Sequence, residues 1–172
     1  MGPELERRLQ QSAGLEALIA GADLPAEAVT CAGLVSLAVA RGANSLALRL
    51  GEAAAAGGAG NRVPYIEIAR AAAGIAAGRD LGQTPAAEER AEAAGTARAT
   101  LEGVLPQLTS AARAGEAPGA MVRRMLSEWQ LSPDFASLRD EAALAALEKG
   151  EADAWREFWA DVRSLAAEYG LD

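Results

Sequence analysis

The chain has 172 residues, 51% apolar but only 4% aromatic, with no histidine and one cysteine. That length suits one domain with a real core, and the alanine-rich, β-branched-poor composition predicts an all-α fold without a sheet. A net charge of −8 argues against nucleic acid, which needs clustered Lys and Arg. The missing histidine removes the commonest general base and transition-metal ligand.

In chain order, Glu4 to about Ala20 places Leu5, Leu9, Leu15, Leu18 and Ile19 near one helical stripe. "GADLPAEA" reads as a turn and a helix start, with Asp23 as cap and Pro25 as an early helical residue. The second helix is expected over about Pro25–Ala40. After the turn "RGAN", the third is expected over about Ser45–Ala56. "GGAGN" closes that hairpin. It follows a helix rather than a strand, so it reads as a turn and not as a phosphate loop. A fourth helix is expected from about Val63 to Ala77, with Pro64 in its first turn.

"GRDLGQTP" is a longer connection, in which Thr84, Pro85 and Glu88 suggest the cap and first turn of a long helix. That helix is expected to break or restart at Pro106. "MVRRMLSEWQ" is a short helix, and "LSPDFASLRDEAALAALEKGE" is irregular chain with one short helix. The last helix, about Ala152–Tyr169, aligns Trp155, Phe158, Trp159, Val162, Leu165 and Tyr169 on one stripe, with Gly170 as its stop. About seven or eight helices result.

Charge is uneven along the chain. Residues 1–60 hold six acids and four bases, residues 61–115 six of each, and residues 116–172 twelve acids and six bases. The acidic end reads as a solvated face, or as a surface for a basic partner. Cys31 is alone in an apolar run, which points to a buried thiol and a reducing, cytoplasmic setting. "MGPELERRLQQ" lacks the apolar core of a secretion signal, and no stretch of ~20 residues is apolar enough to span a membrane. No membrane partner is expected.

Helix, turn, helix, glycine-rich turn, helix is the rhythm of stacked hairpins. A tetratricopeptide frame, with a period of about 34 residues, laid on residues 28–61 puts small residues Ala47, Gly51 and Ala54 in the second helix and Leu34 in the first. One period on, Tyr65, Ile68 and Ala72 stand where Cys31, Leu34 and Ala38 stood. Small residues allow two helices to cross closely. The unit is degenerate: Val35 replaces a small residue, Gly51 an aromatic one, and "GRDLGQTP" is an insertion.

The C-terminal stretch, through Trp129, Pro133, Asp134, Phe135, Leu138, Arg139, Asp140, Leu144, Leu147, Trp155, Phe158, Trp159, Ala160, Asp161, Val162 and Leu165, resembles the end of a bacterial family. That family comprises tetratricopeptide proteins that often carry a serine/threonine kinase upstream. "YIEIARAAAGIAAGRD" is similar to a helix of the same family, whose usual asparagine and cysteine are replaced here, the latter by Arg70. The likeness covers about residues 25–165 and implies a stack of antiparallel helix hairpins with a Trp-rich C-terminal capping helix. Residues 1–172 would form one such domain, with hairpins over about 25–115 and the cap over 116–172. No kinase element accompanies it, neither a phosphate loop nor "HRD" nor "DFG".

Carboxylates are the remaining chemistry. Glu88, Glu89 and Glu92 share a helix, and Glu148, Glu151 and Asp153 lie near a turn. Both groups read as solvated surface rather than as a cation site. No catalytic, cofactor-binding or metal residue is expected. The frame places Val29, Ala32, Ser36, Val39, Ile66, Arg70 and Ala73 on a concave face. Ser36, Ile66 and Arg70 are the partner-binding candidates there. That face either takes an apolar segment of another protein or is filled by the chain's own first helix. The expected function is therefore a non-catalytic interaction or scaffolding module, related to a bacterial signalling protein. The alternatives are an oligomeric structural subunit or a carboxylate-dependent helical enzyme.

Overall fold

The computed structural model describes residues 2–169, with side chains left aside at 3–5 and 7–9. Eight α-helices are present among the described residues: α1 Pro3–Ile19, α2 Ala28–Ala40, α3 Asn44–Ala56, α4 Tyr65–Ala76, α5 Ala87–Arg113, α6 Gly119–Leu131, α7 Glu141–Leu144 and α8 Lys149–Glu168. Short 3-10 turns cover Gly60–Arg62 and Pro133–Leu138. The described residues hold no strand, only an isolated bridge between Asp80 and Gln83. The chain is therefore all-α. No described helix is long and apolar enough to cross a membrane.

Several boundaries differ from expectation, each for a local reason. Pro25 lies outside α2, whose cap is Glu27. Pro64 is the cap of α4, not a helical residue. The long helix starts at Ala87 rather than by Thr84, because Glu89, not Glu88, reaches back to the Ala86 N–H at 2.7 Å. Pro106 does not break α5. It is exposed, as is Glu102 four residues before it. The Glu102 carbonyl that loses its N–H partner can therefore turn to water, which keeps the disruption small. α8 begins three residues early, at Lys149. Gly170, its expected stop, lies outside the described residues. So do the side chains of Leu5 and Leu9, whereas Leu15 and Leu18 are buried on α1.

From α2 to α5 the helices pack on their neighbours in sequence, whereas α6 packs on α8 across the intervening turn and α7. The small residues explain how close they come. Ala47, Leu50 and Ala54 are fully buried on α3. A Cβ at Gly51 would lie 2.6 Å from the Ile68 side chain of α4, which would have to shift to make room. Gly42 makes the α2–α3 turn with φ +72°, a left-handed conformation that glycine adopts without strain. The insertion after α4 folds back onto this turn. Asn44 Nδ2 donates to the Arg79 carbonyl at 2.7 Å, the Leu81 N–H to the Gly42 carbonyl at 2.8 Å, and the Ser45 N–H to Asp80 Oδ1 at 3.1 Å.

Two apolar clusters result. One joins α1–α4 and includes Leu15, Leu34, Val35, Leu50 and Ala71. The other joins α4–α8 around Leu101, Leu126, Trp129, Phe135, Trp155 and Trp159. An aromatic group lies near the C-terminus: Trp155 stacks on Trp159 at 6.1 Å, and Phe158 meets Trp159 edge-on at 5.0 Å. Trp159 Nε1 donates to the Leu138 carbonyl at 2.7 Å. That bond ties α8 to the irregular chain before it.

Candidate functional site

The three partner-binding candidates fall in two places. Ile66 and Arg70 lie one turn apart on α4, and Ile66 packs against the C-terminal cluster. Ser36 is exposed on α2, whose inner side belongs to the other cluster.

Arg70 is engaged within the chain. Its Nη1 donates to Glu67 Oε1 at 2.8 Å, and its Nε lies 3.5 Å from Asp134 Oδ2. Asp134 comes from the Pro133–Leu138 turn, which packs on α4 and buries Phe135 completely. Arg79 adds a contact to the Asp134 carbonyl at 3.5 Å. Both acids near Arg70 come from the chain itself, Glu67 through a hydrogen bond and Asp134 only within ion-pair range, since the buried Nε makes no hydrogen bond among the described residues. Glu67, three residues before Arg70 on the same helix, was a visible signal of this pairing. Asp134, far along the chain, was not.

The other residues assigned to the concave face divide in the same way. Ala32 and Ala73 are buried, Val39 is half-buried, and Val29 and Ser36 are exposed. Val29, Gly33 and Ser36 follow one another at helical spacing, so the open face of α2 is a row of modest apolar and small side chains. Beside it, α1 and α2 enclose a groove of about 550 Å³ lined by Gln11, Gly14, Ala17, Val29, Thr30 and Gly33. α1 is close here, with Gln11 Nε2 3.6 Å from where a Cβ of Gly33 would stand. The groove lies on the α1 side of the row and ends before Ser36. Sequence reasoning missed it, because the tilt of α1 on α2 has no local signature.

Cys31 is buried on α2, and its Sγ donates to the Pro25 carbonyl at 3.2 Å. Burial pushes the thiol above its ordinary value of 9.0. A protonated, enclosed thiol is a poor nucleophile. The carboxylate groups show no convergence on a cation site: among the described residues no cluster of His, Cys, Asp and Glu could hold a metal. Glu88, Glu89 and Glu92 are exposed, and Glu151 is paired with Arg98 at 3.2 Å. The Arg156 guanidinium, donating to Glu141, holds that carboxyl below its usual range at an exposed position.

No family model matches the chain, and no curated protein or solved structure matches it.

Proposed function

We propose that the chain is a non-catalytic protein–protein interaction module, a degenerate tetratricopeptide-like stack of helix hairpins that holds a segment of another protein. The observation that carries this reading is the run of close sequential crossings. Ala47 and Ala54 are fully buried where the frame asks for small residues, and Gly51, where the frame usually has an aromatic, lets Ile68 of α4 come close. Such an architecture works by presenting helix faces rather than by assembling a reactive centre. In this reading the aromatic group on α8 is the cap that covers the open end of the stack. The likeness to kinase-associated bacterial chains makes a cytoplasmic signalling scaffold the natural setting.

The docking surface in this proposal is the α2 row Val29, Gly33 and Ser36 with the α1–α2 groove beside it. Arg70 and Ile66 serve to hold the Pro133–Leu138 turn. A library of displayed random peptides tests the proposal. Peptides selected on the wild-type chain should lose binding by at least about tenfold with Val29→Arg. Val29 is 50% exposed, so the fold tolerates that change. Failure to select any peptide, or peptides that bind Val29→Arg equally well, overturns the assignment.

A further inference from the structure

The outward face of α6 is unusual for so acidic a chain. Leu131 is 79% exposed and Met121 43%, at opposite ends of one helix. Between and beside them stand Arg123 and Arg124, both exposed, and Arg124 only shares Glu128 at 3.7 Å. A face with two apolar anchors and two guanidinium groups is suited to a surface that is acidic and carries small residues.

That complement exists on the same chain. The outward face of α8 carries Asp153, Glu157, Asp161 and Glu168, all exposed, in a row at helical spacing. Directly beside the row lie Ala160, Ser164 and Ala167, also exposed. The lengths agree as well. A 13-residue α6 spans about 20 Å, and the acid row from Asp153 to Glu168 about 22 Å, at about 1.5 Å per residue.

Of the other bases in this region, Arg163 is exposed beside Ala160 and Ala167, and the rest are engaged within the chain. Arg139 Nη1 donates to the Gln130 and Ser132 carbonyls at 2.6 and 2.9 Å, and Arg156 pairs with Glu141 and Asp153. Asp153 is thus paired, with Lys149 also 3.9 Å away, whereas Glu157, Asp161 and Glu168 have no ion pair among the described residues.

We propose that this chain self-associates, with α6 of one copy lying along the outward face of α8 of a second. Arg123 and Arg124 then pair with Glu157 and Asp161. Leu131 and Met121 settle over Ala160, Ser164 and Ala167, which let the two helices approach to about 8–10 Å. Guanidinium–carboxylate pairs set the register, and the covered leucine and methionine supply apolar burial at the two ends of the contact. Each copy carries both surfaces, so reciprocal use closes a two-fold dimer. This surface is separate from the α1–α2 groove, and the two proposals stand or fall independently.

Sedimentation equilibrium with charge-swapped variants is the test. The wild-type chain should associate at concentrations up to about 100 µM. Arg123→Glu with Arg124→Glu, and separately Glu157→Arg with Asp161→Arg, should each weaken self-association by about tenfold or more. Mixing the two variants should restore a complex, because the reversed charges then face each other. Leu131→Ser should weaken association without altering circular dichroism. Arg49→Glu with Arg62→Glu changes net charge as much as the first variant but at exposed sites elsewhere, and should leave association intact. A wild-type chain that stays monomeric overturns the proposal. So does an assembly indifferent to both charge reversals, or a mixture that fails to recover.

Discussion

Two tryptophans side by side on α8 differ in one hydrogen bond, and that difference is measurable. Trp159 is 2% exposed, and its indole N–H donates to the Leu138 carbonyl. Trp155 is fully buried, and its Nε1 has no partner among the described residues. Replacing either ring by phenylalanine removes similar volume. Only Trp159→Phe also leaves a buried carbonyl without its donor, which costs about 1–3 kcal/mol. Trp155→Phe removes an unsatisfied group, which offsets part of its lost packing. Trp159→Phe should therefore be the more destabilising by about 1–3 kcal/mol. In a domain of this size that is a gap in melting temperature of roughly 2–12 °C. Urea titration followed by far-UV circular dichroism measures the difference, with slopes equal to wild type confirming that only stability changed. Trp159→Ala should be worse than either, at about 3–5 kcal/mol from the cavity alone. Equal midpoints for the two phenylalanine variants, or a larger loss at Trp155, would refute the reasoning.

Further outcomes follow from the crossings and the charges. Ala47→Leu should overpack the α3 interface and cost about 1–3 kcal/mol, while Ala56→Leu at an exposed helix end should be nearly neutral in the same titration. Arg70→Ala removes a part-exposed pair with Glu67 and Asp134. It should lower stability by at most about 1 kcal/mol and leave capture of selected peptides unchanged. Because burial raises the Cys31 thiol above 9.0, the unfolded chain ionises first. Its contribution to stability is full below about pH 9 and declines as pH rises further. Cys31→Ala should flatten that alkaline decline in denaturation midpoints, and thiol reagents should label Cys31 only on unfolding.

Much of the secondary structure was legible because helical periodicity is a local property. The α8 stripe from Trp155 to Val162, the buried thiol of Cys31 and the small residues of α3 could all be read from spacing. Boundaries were less legible where one hydrogen bond decides them, as with Glu89 rather than Glu88 at the start of α5. Pro106 was misread because the penalty of an internal proline depends on whether water reaches the carbonyl it strands. That is a fact of tertiary exposure. The candidate site was the least legible part. Ser36, Ile66 and Arg70 share a repeat frame, yet Arg70 is taken up by Asp134, 64 positions further along the chain. No window of sequence reports a contact of that range. The groove beside Val29 likewise depends on how α1 leans, which its side-chain pattern does not encode.

Helix α4 has almost no face of its own to give to solvent. Ala71 belongs to the N-terminal cluster, whereas Ala69, Ala72 and Ala73 belong to the C-terminal one, and all four are fully buried. It is a thin alanine partition shared by two rooms. Opening either cluster strips one side of it, so its amide protons should exchange only when both clusters open, at the slow end of the whole molecule. A helix packed on two sides also transmits displacement. A methylene added at Ala72 must be taken up by the C-terminal cluster or by a shift of α4, and such a shift reaches the other cluster through Ala71. The two halves of this chain are coupled less by an interface between them than by a wall they hold in common.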